Sequence, residues 1–472
     1  QQAHWVTRDT IAWNIGEVVE GTTFKLFYAP EAGMIGSSSG FTGGSSIDLT
    51  YDPAGLSEAI EARFPHLRGY SALKVQEADW GLVPGILRMQ AGIAALDADG
   101  KAINGTGLQI PGVLDDIYHY DGPLGISFNI DVPVLRVWAP TAQRVRLRLF
   151  DDAEDETRGE TINMEFDRET GVWSVVGQPR WLNKYYLYEV KVYAPTTQEI
   201  ETNLVTDPYS ISLSMNSTRS HLINLNSPGF MPRGWHDLVK PELAAPEDIV
   251  IYELYVRDFS IYDATVPEVE RGTFKAFTRT ESAGMQHLLA LAEAGLTHIH
   301  ILPAFDIATI NEDPSARVES DVKALASFPP DSEEQQALIE PLRDADGFNW
   351  GYDPYHYTVP EGSYSTDADG PARVLEFREM VYALNQNGLR VVMDVVYNHT
   401  NSSGQNDKSV LDQIVPGYYH RLNNRGGVET STCCQNTATE YWMMEKLMID
   451  SLITWATVYK VDGFRFDLMG HH

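Results

Sequence analysis

The last ten residues, Gly463–His472, read GFRFDLMGHH. Val461, Phe464 and Phe466 are apolar and Arg465 and Asp467 alternate with them at the two-residue period of a β-strand, so one face is apolar and the other charged. An Arg and an Asp two residues apart on one strand face are close enough to pair, and a buried carboxylate is tolerated chiefly where a cation and hydrogen bonds hold it. The carboxyl end of a strand is also where a barrel enzyme keeps its nucleophile. A plain ion pair at a strand end is the competing account, and the segments upstream decide between the two.

Working back from this stretch, the chain between residues 239 and 472 alternates strand and helix patterns. Ile249 to Tyr255 is a largely apolar run with the composition of a buried parallel strand, and His298 to Leu302, Leu389 to Val396 and Val461 to Asp467 read as the next three strands. Between them, Met285, Leu288, Leu289 and Ala292 share one helix face that stops at Gly295. Pro371 opens a second helix with Val374, Phe377, Val381 and Leu384 on one side, ending at Asn387-Gly388, and a third runs around Thr439 to Tyr459. Such repeats begin either a (β/α)8 barrel or a doubly wound sheet. The segments leaving the strand ends are long (Phe305 to Gly370, Tyr397 to Ala438) and those entering are tight, as in a barrel that builds its site on one face. The turn after the first strand, YELYVRDFS, lacks the glycines that a dinucleotide-binding sheet needs.

Upstream of this lie two further modules. Residues 1–122 mix strand-like runs (Thr23 to Tyr28, Ile86 to Met89) with turn signals and read as a β-rich module. Residues 123–238 carry short strands (Val134 to Ala139, Val145 to Phe150, Gly171 to Val176, Tyr185 to Tyr193) at the spacing of a β-sandwich. Its aromatics, Trp138, Trp173, Trp181, Tyr185, Tyr186 and Tyr188, suit either core packing or stacking on sugar rings, with core packing the commoner role.

Composition narrows the partners. Sixty-six acidic against 35 basic residues give a formal charge of −31, which repels nucleic acid and anionic lipid. No run reaches the roughly 18 apolar residues of a membrane span, and the start, QQAHWVTRD, has no apolar leader and reads as a processed or trimmed form. The only cysteines, Cys433 and Cys434, are adjacent, which allows a vicinal disulfide or two thiols but no framework.

Three groups converge at the strand ends: Asp394, Asn398 and His399 in DVVYNHT, Arg465 and Asp467, and Trp350, Tyr352 and Asp353 in NWGYDP. Hydrogen-bonding side chains beside aromatic planes suit a sugar. DVVYNH and GFRFDLMGHH resemble the first two signature regions of the alpha-amylase superfamily of glycoside hydrolases; NWGYDP, VPEGSY, YELYVRDFS and LPAFDIATINE resemble its pullulanase and limit dextrinase branch, and WAPTAQRV and TDPYS its starch-binding sandwich. The resemblance implies two amino-terminal β modules and the first half of a (β/α)8 barrel. It implies Asp467 as nucleophile, Arg465 orienting it, Asp394 supporting both, and Tyr352, His399, Asn398, Trp350, Asp353 and His471 binding substrate. The implied reaction is retaining hydrolysis of α-1,6 branches in pullulan, amylopectin and limit dextrins, with maltooligosaccharides also bound. An α-1,4-acting amylase or branching relative and a non-catalytic glucan-binding protein are the alternatives. The superfamily's acid/base Glu follows strand five, so it and the remainder of the barrel are expected beyond His472, in the same chain or a second one, and residues 1–472 alone are expected to be inactive. A secreted or periplasmic location, or a plastid, fits such an enzyme.

Three local patterns are weighed and set aside. His298 and His300 form an HxH that a metal-dependent barrel would carry on strand one rather than two. Asn398-His399-Thr400 matches a glycosylation acceptor, but a glycan there would block the cleft. No cofactor is required; a structural calcium is possible in acidic loops such as Asp306 to Asp313, where solvated charge is the default.

Overall fold

A computed structural model describes residues 1–154, 157 and 159–472. The amino-terminal module is a closed seven-stranded barrel in the order 3–7, 10–13, 71–75, 45–52, 23–29, 90–96 and 102–109. It closes through a parallel pairing of Ala3 and His4 with Leu108 and Gln109. Closure removes both sheet edges, which is how so short a β-rich stretch protects its backbone. One expected strand is corrected: Ile86 ends the short helix Val83–Ile86, and the strand begins only at Gln90. Pro84, just inside that helix, is preset for a helical first turn.

The second module is a sandwich of two antiparallel sheets. One is ordered 125–129, 132–138, 172–176, 165–166, and the other is built on 160–163, 142–150, 185–194 and 199–205. Trp138, Trp173, Trp181, Tyr185, Tyr186 and Tyr188 are all buried; Tyr185 stacks on His221 and bonds Asp369, and Trp138 packs against Tyr418 and Tyr419, so these rings serve packing within the sandwich and against the third module. The hydroxyls of Tyr186 and Tyr188 both donate to Asp207 Oδ2, at 2.9 and 3.0 Å, satisfying a carboxylate that burial pushes up to about 6.

The third module carries four parallel strands, β1 (Ile251–Leu254), β2 (His298–Ile301), β3 (Arg390–Val395) and β4 (Gly463–Phe466), paired in that order. The connecting helices are α1 (Ala283–Glu293), α2 (Ala372–Gln386) and α3 (Trp442–Thr457). Ser282 caps α1 by accepting from Met285 N, and Met285 and Leu288 are its buried residues. α2 buries Val374, Phe377, Val381 and Leu384, the face its periodicity marked.

The first strand corrects the sequence reading. β1 is not buried: Ile251 is 54% exposed and Val250, just before it, 51%. The cause is topological. β1 pairs only with β2 and β4 only with β3, so both are edges of an open sheet, and apolar side chains suited to a covered strand face solvent. Ile449 and Ile453 on α3 are also exposed. Among the described residues no helix is long and apolar enough to cross a membrane.

Candidate active site

The site lies at the carboxyl ends of β3 and β4, where register places Asp394 opposite Arg465 and Val395 opposite Phe466. Side chains alternate along a strand, so this register sets Asp394 and Arg465 side by side on the same face, with Asp467 two residues on. Asp394 is fully buried. Arg465 Nη1 donates to Asp394 Oδ1 at 3.0 Å, to Oδ2 at 3.2 Å and to Asp467 Oδ1 at 2.9 Å, so one guanidinium nitrogen links the two carboxylates. Asp467 is fixed from behind by its own N–H, which donates to Val395 O at 3.0 Å. Its other carboxylate oxygen has no donor among the described residues.

Tyr352 approaches from the loop that follows β2. Its hydroxyl donates to Asp394 Oδ2 at 2.8 Å, and burial together with that carboxylate raises its pKa. The loop can come this close because Gly351 sits at φ +89°, where a Cβ would lie 2.7 Å from Pro303 O. Asn349 Oδ1 accepts from Gly351 N at 2.9 Å, its Nδ2 donates to Thr309 Oγ1 at 2.9 Å, and Thr309 in turn donates to Asp353 Oδ2 at 2.6 Å. In NWGYDP, therefore, Asn349 and Asp353 hold the loop while Tyr352 faces the carboxylates and Trp350, 57% exposed, stands beside Phe348 in solvent. Asp353, expected on the substrate, has its Oδ2 engaged with Thr309.

His399 is buried. Its Nε2 donates to Tyr352 O at 2.8 Å and its Nδ1 accepts from Asn398 Nδ2 at 3.1 Å, so a neutral ring with the proton on Nε2 satisfies both, and burial lowers its pKa accordingly. Asn398 Oδ1 is buried without a partner. His471 lies in the turn Met469–His471 just past Asp467, where its carbonyl accepts from Arg421 Nη2 at 3.1 Å.

Two residues near this centre were noted in the sequence but not assigned to the site. His300 Nε2 lies 3.5 Å from Asp394 Oδ2 and His300 Nδ1 3.2 Å from Glu253 Oε2, so the HxH delivers one His to the carboxylates and leaves His298 at the opposite strand end. The signal was available in the position of His300, one residue from the end of β2. Cys433, disulfide-bonded to Cys434, places its Sγ 4.0 Å from His399 Nε2, because Gln435-Asn436 pairs with His399-Thr400. Nothing in the sequence connects those segments.

A second carboxylate cluster, Asp306, Glu312 and Glu361, gathers its oxygens within 4.8 Å. These groups are buried, not solvated as a loop pattern suggested. All six oxygens have partners. Asp306 accepts from Ser217 and His356, at 2.6 Å each; Glu312 accepts from Gly362 N, Asn216 N and Arg373; Glu361 accepts from Ile307 N and Ser363 N, at 2.7 Å each. The buried Arg373 guanidinium already stands among them, so the cluster does not fit calcium, which takes about six to eight oxygen ligands. Burial first, then the neighbouring Glu312 and Asp306, push Glu361 up to about 8.

Comparison with known proteins agrees with this architecture. Residues 1–116 match the Pullulanase N2 domain and residues 123–210 Carbohydrate-binding module 48 (Isoamylase N-terminal domain). The chain is 45% identical to Pullulanase 1, chloroplastic, of Arabidopsis thaliana over all of its own length and 48% of that protein. It is 38% identical to the pullulanase of Klebsiella pneumoniae over all of its length and 46% of that protein. The maltotriose complex of PulA from Klebsiella pneumoniae superposes with a TM-score of 0.94 at 38% identity, covering 100% of this chain and 54% of that one. The chain thus spans about half the length of the curated relatives it matches.

Proposed function

By sequence and fold the chain belongs with the pullulanases along its whole length, and on that premise we propose that it is the amino-terminal half of a debranching glycosidase that cleaves α-1,6 linkages in starch-like glucans with retention. In this reading β1 to β4 are the first half of a (β/α)8 barrel, and the exposed edges β1 and β4 receive its remaining strands, from the same chain or a second one. The observation that carries the proposal is the single Arg465 nitrogen bonded to both Asp394 and Asp467 at the strand ends.

The chemistry follows from that geometry. Asp467 offers the carboxylate oxygen that attacks the anomeric carbon, forming a glycosyl ester, while a second carboxylic acid about 5–5.5 Å away protonates the leaving oxygen and then activates water. Arg465 fixes the line of attack, and Asp394 and Tyr352 fix Arg465. Asn398, fully buried, braces His399 through its Nδ2, while the exposed Trp350 is available to a sugar ring face. The partner acid belongs to the other half of the barrel, so residues 1–472 alone bind glucan without turning it over. Any structural calcium is held by loops other than the Asp306 cluster. A plastid location, as in the Arabidopsis relative's name, and a secreted one both suit this reading.

The test is hydrolysis by the full-length protein of pullulan against amylose, with mass-spectrometric trapping of a glycosylated peptide. Preference for pullulan and an adduct on Asp467 support the reading. Preference for amylose would make the protein an α-1,4-acting relative, and an adduct elsewhere would remove Asp467 from its role.

A further inference from the structure

The HxH on β2 places its two histidines in unequal surroundings. His298, the first residue of the strand, has its Nδ1 2.7 Å from Thr297 Oγ1. His300 has no such local partner: it is buried, and its Nε2 makes no hydrogen bond among the described residues. Each of its ring nitrogens faces a carboxylate instead, Nδ1 lying 3.2 Å from Glu253 Oε2 and Nε2 3.5 Å from Asp394 Oδ2. Glu253 is the one charged residue of β1, whose other members are Ile251, Tyr252 and Leu254. Register explains the placement. Glu253 stands opposite His300, His300 opposite Val392 on β3, and Asp394, two residues beyond Val392, opposite Arg465 on β4, so alternation puts these side chains on one face of the sheet. The result is a row, Glu253, His300, Asp394, Arg465 and Asp467, that crosses all four strands with carboxylates and nitrogen bases in alternation.

We propose that His300 is a positioning residue of the site: it holds the Asp394 carboxylate against Arg465, and through Arg465 the Asp467 oxygen that attacks the sugar, with Glu253 fixing the ring. This rests on the reading of Asp394, Arg465 and Asp467 as the active site of a glycosidase. β3 lies between β2 and β4, so His300 and Arg465 reach Asp394 from opposite sides. Arg465 Nη1 bonds Oδ1 at 3.0 Å and Oδ2 at 3.2 Å, and Tyr352 bonds Oδ2 from the loop after β2. His300 is what meets the carboxylate from the β2 side, and a carboxylate held from both sides keeps the orientation that Arg465 requires. A neutral imidazole donates through one nitrogen only, and donation to Glu253 and Asp394 together takes a proton on each. Hydrogen bonds of catalytic sites are often long in the absence of substrate and tighten in its complex, which is the behaviour assigned to the 3.5 Å contact.

Steady-state hydrolysis of pullulan by the full-length protein tests this, with thermal midpoints measured alongside. His300→Leu fills the space of the ring and removes both donors. It is expected to lower kcat about 100-fold with KM little changed, because a misplacement near 1 Å costs on that order while the sugar contacts stay in place. His300→Gln brings an amide N–H toward the place of Nε2 and is expected to turn over at least about tenfold faster than the leucine variant, at a similar thermal midpoint. His298→Leu, on the same strand but away from the carboxylates, is expected to keep both constants. Should His300→Leu not fold, Glu253→Ala, on the exposed edge strand, is expected to lower kcat about fivefold, the worth of one hydrogen bond, and an unchanged kcat there would overturn the proposal. Equal turnover in His300→Leu and His300→Gln, whether both fall or neither does, would overturn it too, as would a loss confined to KM. A trapped glycosyl adduct on Asp467 beside indifferent His300 variants would sink this inference alone, whereas an adduct on another residue would remove the active-site reading beneath it.

Discussion

Two carboxylate clusters stand on the same third module, and they are built in opposite ways. In the one formed by Asp306, Glu312 and Glu361 every oxygen is occupied, the cation is an Arg373 fully withdrawn from water, and Ser217 and Asn216 of the sandwich segment are tied in. In the other, Arg465 is exposed, Asp467 keeps one oxygen unbonded by protein, and Asn398 Oδ1 and His300 Nε2 are buried without hydrogen-bond partners. The first joins modules and leaves no carboxylate oxygen unpaired, though Arg373 Nε is buried without a partner among the described residues; the second leaves an Asp467 oxygen open. Counting acids and cations would not have told them apart, whereas counting unsatisfied lone pairs does.

The sharpest way to test that distinction is Asp467→Asn in the full-length protein. A neutral amide does not attack an anomeric carbon, so pullulan hydrolysis should fall by at least about 10⁴-fold, more than about 5 kcal/mol of barrier, with the thermal midpoint little changed. Turnover within tenfold of wild type would erase the contrast. Next in size, Arg373→Ala removes the cation from the closed cluster and leaves buried carboxylates uncompensated. It should cost about 3–5 kcal/mol of stability by denaturant unfolding; Arg465→Ala, which leaves the buried Asp394 without its cation, should cost stability as well and, unlike Arg373→Ala, should abolish most of the activity through the misplaced Asp467.

The closed cluster should also make stability depend on pH. Glu361 is held at about 8 in the folded protein against an ordinary 4.5, so between those values the folded state binds more protons than the unfolded one. Stability from this group is therefore full below about pH 4.5 and declines as pH rises toward 8, at no more than about 1.4 kcal/mol per pH unit. Glu361→Gln should flatten the decline in unfolding measurements at pH 5 to 8; a slope that persists would place its origin elsewhere. The smallest effect is expected from Tyr352→Phe, which deletes the hydroxyl bonded to Asp394 and keeps the ring. A loss of about 1 kcal/mol in kcat/KM on pullulan is expected, and unchanged kinetics would show that Asp394 is positioned without it.

Much of this organisation was legible in the residues. The two-residue period of GFRFD and the apolar run before DVVYNH placed Asp394, Arg465 and Asp467 on adjacent strand ends, because alternation along a strand is a local rule. The helix faces of α1 and α2 were equally readable from i, i+3 and i+4 spacing. What failed depended on neighbours. Ile249 to Tyr255 has the composition of a covered strand, yet exposure is set by what lies beside β1, and no property of those seven residues states that. Asp306 and Glu312 look like solvated loop acids until Arg373, some sixty residues on, is folded over them.

The sequence by itself determined the four strands of the third module and the identity of the groups at their ends, since these follow from short-range periodicity and from motifs contained in single segments. Only the tertiary structure decided which acids are closed and which are open, that Asp353 accepts from Thr309 while Tyr352 meets Asp394, and that His300 and Cys433 stand beside the site. The physical reason is that burial and hydrogen-bond satisfaction are sums over groups far apart in the chain, and they have no value until the modules have packed.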